Sequence, residues 1–380
     1  MTAERGVVLK NILSRRGRIR LFIVIVLIML ALPASAAAAG NRRYVILGMN
    51  PSDIAIEVGA VGGAMIRDLK YHLGSVVKMP EAAARRIQEY FGDAVFIEED
   101  REVWATNHLT PTQPSQTVPW GIDAVNAPEA NVITRGAGVL VCVVDTGIQG
   151  SHPDLATNII GGENFVIKRG RLNPYQWADD NGHGTHVAGT IAALDNTIGV
   201  VGVAPQAGLF AVKVLDKNGS GYLSDVAEGI LSCIENGADV INMSLVSSSN
   251  STLVQAAVQD ADAAGLIQVA AAGNSSGAVQ YPAKYPQVVA VSAVDINFDL
   301  ASFSNFGSEI DFAGPGVGVR STTKGSSYAT FSGTSMAAPH VAGTAALMLS
   351  AGKTQLLATD IGLATYAQGA GLVDALKTVQ

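Results

Sequence analysis

Three short segments of this chain hold the residue types that nucleophilic catalysis needs. They are Val143-Val144-Asp145-Thr146-Gly147, His183-Gly184-Thr185-His186-Val187-Ala188-Gly189-Thr190 and Gly333-Thr334-Ser335-Met336-Ala337-Ala338-Pro339-His340. A serine hydroxyl is a weak nucleophile near neutral pH unless a base removes its proton, and that base works best when a carboxylate fixes its tautomer. Ser335 is therefore the candidate nucleophile, His183 the general base that later protonates the leaving amine, and Asp145 the group that orients His183. A zinc site is the alternative for His183 and His186. The zinc-protease motif, however, spaces its histidines by four with Glu beside the first. Here the spacing is three and Gly184 stands in the Glu position, so His186 is expected to be structural, as is His340.

The elements that must position these groups read as a layered α/β fold. Continuous apolar runs occur at Gly138–Val144, Leu209–Leu215, Val240–Leu245 and Ile267–Ala272. Strands buried on both faces of a parallel sheet read this way. Helical stretches, such as Ser224–Glu235 and Leu253–Ala264, alternate with them, which predicts a parallel sheet sandwiched by helices. Asp145 ends its strand, where functional side chains collect in such sheets. His183 precedes a helix-forming run over Val187–Ala193. Ser335 opens a long helix through Leu349, with Pro339 expected in its first turn. That helix N-terminus places partial positive charge near a developing oxyanion, with the Ser335 N–H as one donor. Gly273-Asn274 follows a strand end, and its Asn reads either as a turn residue or as a second donor.

Composition limits what else the chain can be. Of 380 residues, 48% are hydrophobic and 15% charged, so most of it is globular. Residues 1–20 carry six basic groups and one acid, whereas residues 115–380 carry 11 basic and 21 acidic groups. An acidic main domain argues against a nucleic-acid partner. Cys142 and Cys233 are expected as two buried thiols.

The basic start, the apolar run Leu21–Leu32 and the small residues Ala34-Ser35-Ala36 read as a signal peptide over 1–40. The run is short for a membrane span, which needs ~20 residues, so contact with the membrane is expected only during export. Ser14-Arg15-Arg16 hints at twin-arginine export, but the residues that follow fit that motif poorly. Residues 41–104 alternate strand and helix patterns, and residues 105–118 have a linker composition of Thr, Pro, Gln and Ser.

In all three catalytic segments, and across nearly everything after residue 40, the chain resembles the subtilisin-like serine proteases. The resemblance implies a secreted serine endopeptidase, made as a self-processing zymogen that acts on protein or peptide substrates, and a monomer. It divides the chain into an inhibitor-like prodomain (41–109), a processing linker (110–118) and a catalytic domain (119–380). The prodomain would serve as intramolecular inhibitor and chaperone. The resemblance decides for Asn274 as the second oxyanion donor. It places substrate contacts at Gly221, Leu223, Ser244, Leu245, Val246, Gly273 and Gln280, with Val226 beside Leu223 and Leu245 in an apolar subsite. It also implies structural Ca²⁺ held by Gln116, Asp154, Leu194, Asn196, Ile198 and Val200, and a weaker ion site near Ala283, Tyr285 and Val288. Three departures stand out. Val246-Ser247 replaces a usual Gly-Gly, the 274–281 stretch is short, and the chain is trimmed after Ser350. Gln280 and Val246 narrow the pocket for the residue before the cut, which implies small or medium uncharged side chains there.

Overall fold

The computed structural model describes residues 41–105, 110–112, 115–168 and 170–380. The proposed signal peptide and part of the linker lie outside these residues. The chain divides into two compact units, one ending at Asp100 and one beginning at Arg101.

The first unit is a four-stranded antiparallel sheet with two helices. Strands Ala64–Asp68, Gly74–Met79, Arg42–Leu47 and Phe96–Glu99 lie side by side in that order. Helices Pro51–Ala60 and Glu81–Phe91 connect them. Alternate strand residues Tyr44 and Ile46 pack with Ile54, Val58, Ala83 and Ile87 from the helices. This is the period-2 and period-3.6 matching that makes a two-layer core.

The second unit is built on nine strands. From one edge they are Ala358–Thr359, Leu372–Val373, Ile310–Pro315, Val288–Val294, Ile267–Ala271, Val240–Met243, Leu140–Asp145, Gly208–Lys213 and Ile159–Asn164. All neighbours run parallel except the first pair. Residues of the Leu140–Asp145 strand alternate between the two faces. Val141 and Val143 join the core that contains the helix residues Val187, Ile191, Val341 and Ala345. Val144 faces the Leu223–Glu235 helix, where a Cβ on Gly229 would lie 2.7 Å from Val214 and 2.8 Å from Val212 side chains. Gly229 therefore lets that helix approach the sheet.

The helix Thr334–Ser350 is buried over Thr334–Met348. That degree of burial explains why it is apolar on every side. Pro339 is its sixth residue rather than part of the first turn, so it removes an internal donor. A second correction concerns the cysteines. Cys142 and Cys233 are not separate thiols but a disulfide, which ties the Leu140–Asp145 strand to the Leu223–Glu235 helix.

Candidate active site

Asp145 ends a central strand and is fully buried. His183 begins the helix His183–Ala192 instead of preceding it, and is equally buried. Its Nδ1 lies 2.8 Å from Asp145 Oδ1 and 2.9 Å from Oδ2. A carboxylate accepts, so Nδ1 carries the proton and Nε2 is left as the basic nitrogen. Gly184 makes this approach possible. A Cβ there would fall 2.2 Å from Gly147 O and 3.0 Å from Asp145 Oδ1.

Two residues that sequence reasoning missed hold this pair. Asp179 caps the histidine helix. Its Oδ1 accepts from the Asn181 N–H, the Gly182 N–H and the Thr146 hydroxyl, and its Oδ2 from the Thr185 N–H and hydroxyl. The signal was available, since Asp shortly before a helix is a usual cap. Lys213 is fully buried beside Asp145 in the parallel ladder. Its Nζ donates to Thr146 O (2.5 Å), Leu215 O (2.8 Å) and Asp180 Oδ1 (2.7 Å). A charge that ends an otherwise apolar strand was the signal there.

His186 and His340 play no part in this chemistry. His186 Nε2 meets Val319 O and Ala329 O, and its ring stacks on Phe331 with centroids 4.1 Å apart. Burial pulls its pKa down to about 3. His340 Nδ1 meets Met336 O, and burial pulls its pKa to about 4.

Ser335 is the second residue of its helix and is fully buried. Its hydroxyl donates to Ser244 O at 3.1 Å. Thr334, one residue earlier, fixes Asn274. The Thr334 N–H and hydroxyl both donate to Asn274 Oδ1, at 2.9 and 2.8 Å, and the Thr334 hydroxyl accepts from the Gly273 N–H. With Oδ1 committed on one side, the Asn274 amide N–H groups point away from Thr334 and can serve an anion.

The substrate-contact candidates also converge. Ser220–Tyr222 and Leu245–Val246 flank a third strand, Glu102–Ala105, antiparallel to both. Val103 pairs with Gly221, Trp104 with Ser220 and Val246, and Ala105 with Leu245. A Cβ at Gly221 would lie 2.2 Å from Val214 O, so only glycine lets this strand lie so close to Val214. Val103, Leu223, Val226 and Leu245 are all buried. Ser247, next to Val246, exchanges backbone bonds of 2.8 and 3.0 Å with Tyr281; the slot for the residue before the cut is expected between Ser244–Val246 and Ala272–Gly273. Gln280 is folded against this slot, because a Cβ on Gly273 would lie 2.7 Å from Gln280 Oε1.

The model of the subtilase family matches residues 136–362. The chain belongs to the subtilase family. It is 52% identical over 256 residues to a thermostable alkaline protease of Halalkalibacterium halodurans, covering 67% of this chain and 69% of that one. It is 46% identical over 295 residues to subtilisin amylosacchariticus of Bacillus subtilis subsp. amylosacchariticus, covering 76% and 74%. It is 48% identical over 291 residues to M-protease of Shouchella clausii, covering 74% and 72%. This subtilase is a serine endopeptidase, and peptides are its substrates.

Several of the residues expected to hold a cation in this subtilase are joined by hydrogen bonds. Asp154 Oδ1 accepts from Asn196 Nδ2 (2.6 Å) and Asp154 Oδ2 from the Val200 N–H (3.0 Å). Gln116 Oε1 accepts from the Asn196 N–H, and Asn196 Oδ1 from the Ile198 N–H, both at 2.7 Å. The Leu194 N–H is bound to Asp154 O. The set has one carboxylate among amide and carbonyl oxygens. No cluster of three or more His, Cys, Asp or Glu occurs among the described residues. Such a set suits Ca²⁺, which takes neutral oxygens in loose geometry.

Proposed function

We propose that this subtilase is a secreted endopeptidase that cuts by a Ser335–His183–Asp145 triad and is made as a self-processing zymogen. Ser335 Oγ attacks the scissile carbonyl while His183 Nε2 takes its proton. Asp145, already paired with Nδ1, stabilises the imidazolium. The tetrahedral oxyanion receives hydrogen bonds from the Asn274 amide and the Ser335 N–H. His183 then passes its proton to the leaving amine, and water hydrolyses the acyl-enzyme by the reverse sequence.

The observation that carries this reading is the Glu102–Ala105 strand seated between Ser220–Tyr222 and Leu245–Val246. An extended chain bound by backbone pairing is how a protease holds a substrate of almost any sequence. Here the occupant is the protein's own chain, entering from the 41–100 unit. The cut falls between Ala105 and Gln116, because Gln116 is already tied to the 194–200 loop. Residues 41–100 would then act as inhibitor and folding template. Bound Ca²⁺ would supply charge that locks Gln116 and Asp154 to that loop. Export is supported by the basic-apolar-small start of the chain and by the disulfide, which persists in oxidising compartments. Among the described residues no helix is long and apolar enough to cross a membrane.

The test is Ser335→Ala. The purified variant should keep residues 41–105 covalently attached, as read by intact mass. It should also lose labelling by an organophosphate. Normal processing of that variant would show that another protease makes the cut.

A further inference from the structure

The Ala272–Ala278 segment carries the Asn274 amide and one wall of the slot, yet beyond the strand ending at Ala271 it has no regular secondary structure. One side chain ties it together. Asn305 is fully buried. Its Nδ2 donates to Ala272 O at 3.1 Å and to Ala278 O at 2.8 Å. Its Oδ1 accepts from the Ser275 N–H (2.9 Å), the Ser275 hydroxyl (2.9 Å) and the Gly277 N–H (3.1 Å). Its backbone N–H donates to Gly273 O at 2.9 Å. Asn305 thus grips the segment on both sides of Asn274. Only a primary amide offers two donors and an acceptor at this size. The fit is close, since a Cβ on Gly273 would fall 2.4 Å from Asn305 Nδ2.

We infer that Asn305 is a positioning residue for the reaction, holding the segment so that the Asn274 amide is aimed before the oxyanion forms. The inference rests on Asn274 being an oxyanion donor. Such a donor acts only if it is fixed in advance, because the anion exists only near the transition state. Slack in the segment therefore costs turnover more than substrate affinity.

A double-mutant cycle tests this. Wild type, Asn305→Ser, Asn274→Ala and the double variant are matured by an added, separable protease. They are then assayed for kcat and KM on a peptide anilide, and for melting temperature. Asn274→Ala should lower kcat by about 10²–10³. Asn305→Ser should lower kcat about tenfold in the wild-type background, the size of a lost buried hydrogen bond, with KM changed less than about twofold. In the Asn274→Ala background the same substitution should cost less than about twofold. An equal loss of kcat in both backgrounds would overturn the inference and leave Asn305 a fold-stabilising residue only. An unchanged kcat in Asn274→Ala would instead overturn the role of Asn274 itself. If Asn305→Ser does not fold, Asn305→Asp runs the same cycle under the same criteria. It keeps the three accepted bonds and loses the two donated ones.

Discussion

Ser335 and Ser244 exchange hydrogen bonds. The Ser335 hydroxyl donates to the Ser244 carbonyl at 3.1 Å, and the Ser244 hydroxyl donates to the Ser335 carbonyl at 2.9 Å. Pro339 explains the second bond. In a regular helix the Ser335 carbonyl would accept from the N–H four residues on, and proline has none. The gap is filled from outside the helix, which ties the backbone at Ser335 to Ser244. Ser244 is itself held by Asn242 Nδ2 at 2.9 Å.

Removing the Ser244 hydroxyl should therefore be costly for a buried change of one atom. Ser244→Ala takes the donor from a buried carbonyl, a loss of ~1–3 kcal/mol. The check is a urea unfolding midpoint in the Ser335→Ala background, where self-digestion cannot interfere. A midpoint equal to that of the parent would mean that the carbonyl finds another donor.

Gln280 should set the residue accepted before the cut. Its side chain lies against Gly273, in the wall of the slot. Gln280→Gly should raise kcat/KM for Phe or Tyr relative to Leu or Met about tenfold, the range for a methylene-scale change in pocket fit being ~1–3 kcal/mol. Profiling both proteins with one peptide library decides it. A parent enzyme that already prefers Phe and Tyr, unaltered by the substitution, would refute the filled slot.

Acid should unfold this protein through two histidines that take no part in the chemistry. His186 and His340 stay neutral in the fold, with values pulled to about 3 and about 4 by burial. In the unfolded chain each binds a proton near pH ~6.5. Stability is thus unaffected by them above that pH. Below it the unfolded state gains protons that the fold refuses, costing up to ~1.4 kcal/mol per pH unit for each histidine. Asp180 is held low by Lys168 and Lys213 against its own burial, so its contribution is lost only nearer the carboxylate range. Unfolding midpoints of Ser335→Ala at pH 7.5, 6 and 5 should fall between the last two. A flat profile would sink the argument.

Metal removal should weaken the fold before it weakens the chemistry. Gln116, Asp154 and Asn196 hold one another across the 194–200 loop, away from Asp145 and His183. A cation bound there at a hundredfold excess over its dissociation constant adds ~2.7 kcal/mol. Chelation should lower the melting temperature and leave the initial rate at room temperature within about twofold of its starting value. An unchanged melting temperature, with no calcium by elemental analysis, would remove the site.

The pairing of Asp145 with His183 was legible because each stands in a short run whose neighbours are adjacent in sequence. The parallel sheet was legible because its strands are apolar on both faces, as at Leu140–Asp145. The residues that hold the site were not. Asn305 meets Asn274's segment from 31 residues away, and nothing local marks its amide as buried. The cysteines are separated by 91 positions, and only the packing of helix on strand brings them within bonding reach. Pro339 was legible as a helix residue, but its partner across the slot was not.

The Cys142–Cys233 bond closes a covalent ring that contains Asp145, His183 and the 194–200 loop. Among the exposed stretches of that ring are one around Tyr175, which is 86% exposed, and one at Lys217-Asn218. These are the places where another copy of the enzyme would bite first. A single cut at either place opens the ring into a branched chain but releases no fragment, so the acid and the imidazole stay tethered to the same molecule as the serine. An enzyme that lives among its own kind can in this way be nicked and remain one piece.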